Sequence, residues 1–508
     1  MRRRAASRRG GQGPAGAEID SEEDAHILPG GTLAIETPGR YNDRQAGMGA
    51  QLVTRKSQAR GGAVLCRAKL AVRGGLPRPS ESLRRIASLV LAAFATSCAT
   101  TNLPPISSAD VAFEPARDEK RLWEDARAEE AKLRKNVKIY QDPLLVDYLE
   151  EVVQRLNPPA MAANPYLSYR VSVIEDPTLN AFAYPTGSLY VHTGLLARME
   201  NEDQLATVLG HEMTHVENRH MLRFQRSVRN KQIGFSIAAI AGAVIVASEE
   251  GHAVSEGKYG KAARIGVLSD VLLGLGLSLA IIAAVNGYGR RLEREADDGG
   301  FAKMSASGYD VGEAHLVYEA LLDEHGESGK AEVFFFGSHP RLSARIEAAK
   351  QWTATHPGQV RAGRSRDQEA FRRRIRPVIR EDARLNMEMG RLRLAEDELN
   401  RALSEMSEDP EAQFLLGRLK LKKAEAEKSP EVQERLKAEA MAAFRESIRL
   451  DPDRPGPHRE AGLLAYRNGD FGTACSQFRL YLEIDPDAED SQSIRDYELE
   501  LKRDGHCP

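Results

Sequence analysis

The sequence predicts an α+β architecture, in which a mostly helical domain with a small β-sheet precedes an α-solenoid of paired helices. Three observations predict it. His211-Glu212-Met213-Thr214-His215 lies in a stretch with helical patterning, short alternating segments between 169 and 191 read as strands, and the Ala/Leu/Glu/Arg-rich chain beyond about 375 repeats itself. At 508 residues the chain exceeds one typical core, so at least two folded domains are expected.

The first 81 residues are Arg/Gly-rich and unpatterned, which suggests a mis-started or disordered extension. Arg84 and Arg85 then precede an apolar run at 86–95, the basic start and short hydrophobic core of an export signal over 82–97. Ala95-Thr96-Ser97-Cys98 has the form of a lipoprotein processing box, with Cys98 as the lipidated first residue of the exported form. Residues 98–118, with Pro and Ser and little pattern, read as a tether. The net charge of −3 conceals an asymmetry, because 1–97 hold 16 Lys+Arg against 8 Asp+Glu and leave the body at −11. An acidic body disfavours nucleic acid as a partner. With Cys66 and Cys98 set aside, only Cys475 and Cys507 remain; an oxidising compartment permits one disulfide, and two free thiols stay equally open.

A charged helix is expected from about Asp118. Asp142-Pro143 reads as a helix cap, followed by an apolar stripe of Leu144, Leu145, Tyr148, Leu149, Val152, Val153 and Leu156. Tyr169 to Ile174 alternates as a strand, and Pro185-Thr186-Gly187 turns the chain between two more. An exposed edge at Ala181-Phe182-Ala183, with Asn180 beside it, could take a substrate backbone as an added strand. Asn201 and Gln204 form a capping box ahead of the His-Glu helix. Two uncharged stretches of fifteen residues, 233–247 and 271–285, fall short of the ~20 a spanning helix needs, which favours buried helices over a membrane hairpin. The polar, Gly-containing chain at 249–264 between them reads as a loop near the cleft.

The chemistry follows from helical spacing. Positions i and i+4 share a helix face, so His211 and His215 can aim two imidazoles at one Zn²⁺, and Glu212 stands where a general base takes a proton from an attacking water. Glu293, 78 residues beyond His215, is the third-ligand candidate, and Asp297 one turn later could accept the second ring N–H of a ligating histidine. The HExxHxxGxxH class is excluded, because those later positions hold Asn218 and Met221. On a continuous helix His220 would face away from His211, so it is not expected to be a ligand.

These motifs, together with 180–191, Gly194-Leu195-Leu196, Tyr288 through Asp297, and Ser338-His339-Pro340 with Arg345 and Ile346, resemble the CAAX-protease/HtpX-type zinc metallopeptidases. The closest likeness is to their periplasmic BepA-like branch, over about 120–350. The resemblance implies a zincin-like HExxH…ExxxD domain over 119–352, one zinc per chain, and His339 and Arg345 near the active site as oxyanion donors. His339 has a second role open to it, as a fourth ligand that holds the enzyme latent. The resemblance also implies quality control of stalled outer-membrane proteins, with unfolded or misassembled envelope proteins as substrates and anchorage at the outer membrane through Cys98.

After a linker at 353–375, residues 376–488 carry the tetratricopeptide pattern. Gly462, Gly469, Ala474, Phe478 and Pro486 match it, as do Pro410, Gly417, Ala440, Phe444 and Pro452 one copy earlier, and Ala383, Gly390, Ala395, Leu399 and Ala402 give a degenerate third copy. Pro410 and Pro455 stand 45 residues apart, which implies an 11-residue insertion in a period of about 34. Such a surface usually docks protein, here substrates or an assembly machine; 489–508 are the capping helix and tail. Two rivals stand beside a zinc endopeptidase: a non-catalytic assembly chaperone acting through the repeats, and a membrane-integrated zinc protease.

Overall fold

The computed structural model describes residues 51–53, 69–71, 100–108, 113–230, 290–327, 342–357 and 368–507. The predicted signal segment, Cys98, the apolar stretches 233–247 and 271–285, the predicted loop 249–264 and His339 lie outside these residues. Met1–Leu91 form one unit, in which β1 (Gln51–Val53) pairs antiparallel with β2 (Lys69–Ala71). Ala92–Pro508 form a second unit, so the predicted peptidase and repeat segments are parts of one compact body.

The chain ahead of the first helix is no free tether. Ile106 is buried, Leu103 packs on Leu122, Met221, Leu222 and Leu292, and the Thr100 carbonyl accepts from Arg226 at 3.0 Å. Leu103 and Ile106 sit three apart, enough to cover apolar surface without a periodic signal; full burial of one such side chain contributes about 1.5–3 kcal/mol. Helix α1 (Arg117–Asn136) follows. Asp142 then caps α2 (Pro143–Leu156) by accepting from the Leu145 N–H at 3.1 Å, and Pro143 fills a first-turn position whose N–H has no helical partner. The predicted stripe is buried except for Leu144, which is 56% exposed.

The sheet has the order β3-β5-β4, with β3 (Arg170–Ile174) parallel to the central β5 (Ser188–His192) and β4 (Ala181–Ala183) antiparallel at the edge. Gly187 makes the β4–β5 turn at φ +94°, and a Cβ there would approach the Ser168 carbonyl oxygen to 2.6 Å. β5 leads into α3 (Thr193–Arg198), which is followed by α4 (Glu202–Glu217), a helix buried along nearly its whole length. Then α5 (Arg290–Ala306) crosses α4, and α6 (Ala314–Glu327) and α7 (Leu342–Thr355) pack beside them.

The predicted linker ends early, because α8 (Gln368–Glu388) begins within it and buries Phe371 and Ile375 in the same core as α2 and α4. α8 also docks on α3, where Arg198 pairs with Asp382, and the following helix adds Glu398, which pairs with Arg198, and Arg401, which donates to the Ala197 carbonyl. Five further helices pack in chain order after α9 (Leu392–Glu405): α10 (Pro410–Ala426), α11 (Pro430–Leu450), α12 (Pro455–Arg467), α13 (Phe471–Ile484) and α14 (Ser491–Arg503). The expected insertion is helix rather than loop, since α10 and α11 have 17 and 21 residues where α12 and α13 have 13 and 14. A Cβ on Gly462 would sit 2.7 Å from the Phe478 ring, and one on Gly417 would run into Phe444, so the small residues admit the aromatic of the partner helix.

Cys475 and Cys507 form a disulfide, with Cα atoms 5.7 Å apart, that ties the tail after α14 to α13. Closing a loop of this length contributes about 2–4 kcal/mol in the chain-entropy account. Cys507→Ser should therefore speed amide hydrogen exchange across 491–503; unchanged exchange would remove this role from the bridge.

Candidate metal centre

The site starts from the fixed N-terminus of α4. The Asn201 side chain accepts from the Gln204 N–H at 2.9 Å, and Gln204 Oε1 accepts from the Glu200 N–H at 2.9 Å, one residue upstream of the usual donor in such a box. Asn201 and Gln204 both donate to Glu313, at 2.9 and 3.0 Å. Fully buried Glu202 accepts from Tyr148, Tyr309 and Arg155 at 2.5, 2.8 and 2.5 Å. Satisfied on every side, this end of the helix holds the two histidines further along in register.

His211 and His215 bring their Nε2 atoms to 3.0 Å of each other. Glu293 of α5 places its carboxylate oxygens 3.4 Å from His211 Nε2 and 3.8 Å from His215 Nε2. All three side chains are buried, and one ligand atom from each lies within 4.8 Å of the others. Glycines allow this approach. A Cβ on Gly300 would lie 3.0 Å from the His211 backbone nitrogen, one on Gly210 would lie 3.3 Å from the Gly300 carbonyl oxygen, and one on Gly299 would strike Thr214. Two adjacent glycines inside a helix cost roughly 1 kcal/mol each in propensity, and that cost is the sequence signal of a close crossing here.

Behind the histidine pair, Asp297 Oδ1 stands 2.8 Å from His211 Nδ1. Burial opposes its charge, yet the Arg345 guanidinium and His211 hold the carboxyl down at about 2. Arg345 grips both Asp297 oxygens, through Nε at 3.0 Å and Nη2 at 2.6 Å, and its guanidinium carbon lies 4.2 Å from the Tyr318 ring centre. Tyr318 donates to Asp297 at 2.8 Å. Arg345 thus differs from the expected oxyanion donor: it faces the Nδ1 edge of His211, opposite the Nε2 atoms where a metal would sit, because the buried carboxylate is its closest counter-charge. Burial pushes the neighbouring Glu212 carboxyl up to about 7, which leaves it able to take up a proton near neutrality.

His220 departs from the helical extrapolation. α4 ends at Glu217, Arg219 adopts φ +57°, and residues 220–230 form a new helical run that returns His220 Nδ1 to 2.8 Å from His215 Nδ1. Arg219 is held there by Glu119 of α1, at 2.8 and 2.5 Å. Neither this break nor the contact follows from spacing alone. The predicted substrate strand stands at the sheet edge, but Ala181, Phe182 and Ala183 are buried, with Phe182 stacked on Tyr190 at 5.2 Å between ring centres. Asn180, also buried, leaves its Oδ1 without a hydrogen-bond partner among the described residues.

Two imidazole nitrogens and a carboxylate oxygen are the donor set of a catalytic zinc rather than of Ca²⁺ or Mg²⁺, so the residues fit that ion. Residues 143–353 match Peptidase family M48. The chain is similar to the beta-barrel assembly-enhancing protease of Escherichia coli K12, 26% identical over 218 residues, 43% of this chain and 41% of that one. A Vibrio cholerae counterpart is 28% identical over 225 residues, 44% and 42% of the two chains. Mitochondrial metalloendopeptidase OMA1 of Schizosaccharomyces pombe is 31% identical over 208 residues, 40% and 52%. The chain spans about half or less of the length of these relatives.

Proposed function

We propose, on the premise that residues 143–353 form a domain of peptidase family M48, that this chain is a zinc metalloendopeptidase acting on unfolded or misassembled proteins of the bacterial envelope. The observation that carries the proposal is the meeting of His211, His215 and Glu293 with Glu212 one residue away. His211, His215 and Glu293 would hold the ion, which when bound supplies Lewis acidity to a water and to a peptide carbonyl. Glu212 takes the proton of the attacking water and returns it to the leaving amine. Asp297, oriented by Arg345 and Tyr318, fixes His211 with its Nε2 toward the ion. His339 is proposed as the oxyanion donor, or as a latch on the open coordination position. Loss of activity in His339→Ala supports the donor and gain supports the latch.

Recognition by strand addition to β4, whose three residues are buried here and would first have to be uncovered, suits chains with unpaired backbone, as stalled β-rich proteins present. Similarity to the bacterial beta-barrel assembly-enhancing proteases supports an assembly or quality-control role, and the Cys98 processing box supports lipid anchorage in the periplasm, at the outer membrane. Among the described residues no helix is long and apolar enough to cross a membrane. The paired helices from α8 to α13, read as tetratricopeptide repeats under the cap α14, are the proposed docking surface for substrates or assembly machinery. Zinc-loaded protein should cleave an unfolded β-rich reporter, lose that activity in a chelator, and regain it when zinc is returned. Undiminished cleavage in chelator would reject the metal assignment.

A further inference from the structure

We propose that His220 and Glu295 form a relay that sets the tautomer and aim of His215, so that α5 supplies the metal ligand Glu293 and the outer support of both histidines. The inference rests on the metal-site reading above and adds residues that reading does not use. His215 turns Nε2 toward His211 and Glu293, which leaves its Nδ1 to carry the proton and donate to His220 Nδ1 at 2.8 Å. His220 is fully buried, so this bond forms away from competing water. Accepting at Nδ1 puts the His220 proton on Nε2, which lies 3.5 Å from Glu295 Oε2, an electrostatic contact rather than a formed hydrogen bond. Arg223 fixes that carboxylate, donating at 2.5 and 3.2 Å. His211 meets Asp297 directly, whereas His215 reaches Glu295 through an interposed imidazole. The left-handed turn at Arg219, gripped by Glu119, is what brings His220 round to His215.

Outer partners of metal-bound histidines typically govern metal affinity by about 10–100-fold. The test is chelator competition for zinc with the full chain, free of any activity readout, alongside thermal unfolding of the zinc-free proteins. His220→Ala should raise the zinc dissociation constant by about 10–100-fold. His220→Asn, whose Oδ1 stands where Nδ1 stood and can accept the same proton, should recover most of that loss, and His220→Gln, with its amide one bond further out, should not. This order at similar unfolding temperatures supports positioning. Equal affinities for the Asn and Gln variants, or a zinc affinity of His220→Ala equal to the parent's, would overturn it. If His220→Ala does not fold, the Asn and Gln comparison decides alone. Glu293→Gln separates the two claims: if it weakens zinc while the His220 variants do not, the relay fails and the ligand set stands; if it leaves zinc unaffected, the ligand set itself fails.

Discussion

Replacing Glu212 by glutamine is expected to lower kcat on an unfolded reporter by about 10²–10⁴-fold, the usual contribution of a positioned general base, with bound zinc unchanged. The substitution keeps the volume of the side chain, exchanges one acceptor oxygen for an NH₂ donor and removes its ability to accept a proton. Glu212 is 7% exposed beside the histidine pair, and burial already raises its affinity for protons. A bound cation would pull the carboxyl back toward ionisation, ready to accept. Zinc content by metal analysis and turnover by fluorescence give the two readouts. Lost zinc would make Glu212 structural, and retained proteolysis would remove it from the reaction. If proteolysis vanishes while every cellular function persists, the chaperone reading replaces the enzymatic one.

Gly300→Val is expected to disable the centre without touching a functional side chain. A Cβ at 300 would sit 3.0 Å from the His211 nitrogen and 3.2 Å from the Gly210 carbonyl carbon, both backbone atoms that no rotamer can move. α4 and α5 would have to separate, carrying Glu293 away from the histidines. Overpacking of this kind costs about 1–3 kcal/mol in stability, and the displaced carboxylate should cost most of the zinc affinity as well. Gly472→Ala is the control, since nothing lies within 4 Å of a Cβ there, and it should stay within about 0.5 kcal/mol of the parent. Full zinc binding and unaltered thermal unfolding in Gly300→Val would show that the close crossing does not position the site.

The meeting of His211 and His215 was legible because helical periodicity places them on one face whatever surrounds them, and Asp142 and Asn201 cap their helices through local chemistry alone. What failed depended on contacts far apart in the chain. His220 could not be placed, because the break at Arg219 is stabilised by Glu119, 100 residues earlier. Arg345 was expected at the oxyanion, but its partner is set by how α7 packs beside α5. The parallel pairing of β3 with β5 is a matter of strand order, which alternation in each strand does not encode. Leu103 and Ile106 are too few to make a period, so a packed segment read as a tether. The paired glycines 299 and 300 went unread, although their cost inside a helix is the signal that could have located the crossing.

The most direct test of the account is X-ray absorption at the zinc edge of the loaded protein, repeated with Glu293→Gln. The account predicts one zinc per chain with two histidine nitrogens at about 2.0–2.1 Å and a low-coordinate shell completed by oxygen, and a weakened or lost site in the variant. Zinc bound through fewer than two histidines, or a spectrum that Glu293→Gln leaves unchanged, would contradict it.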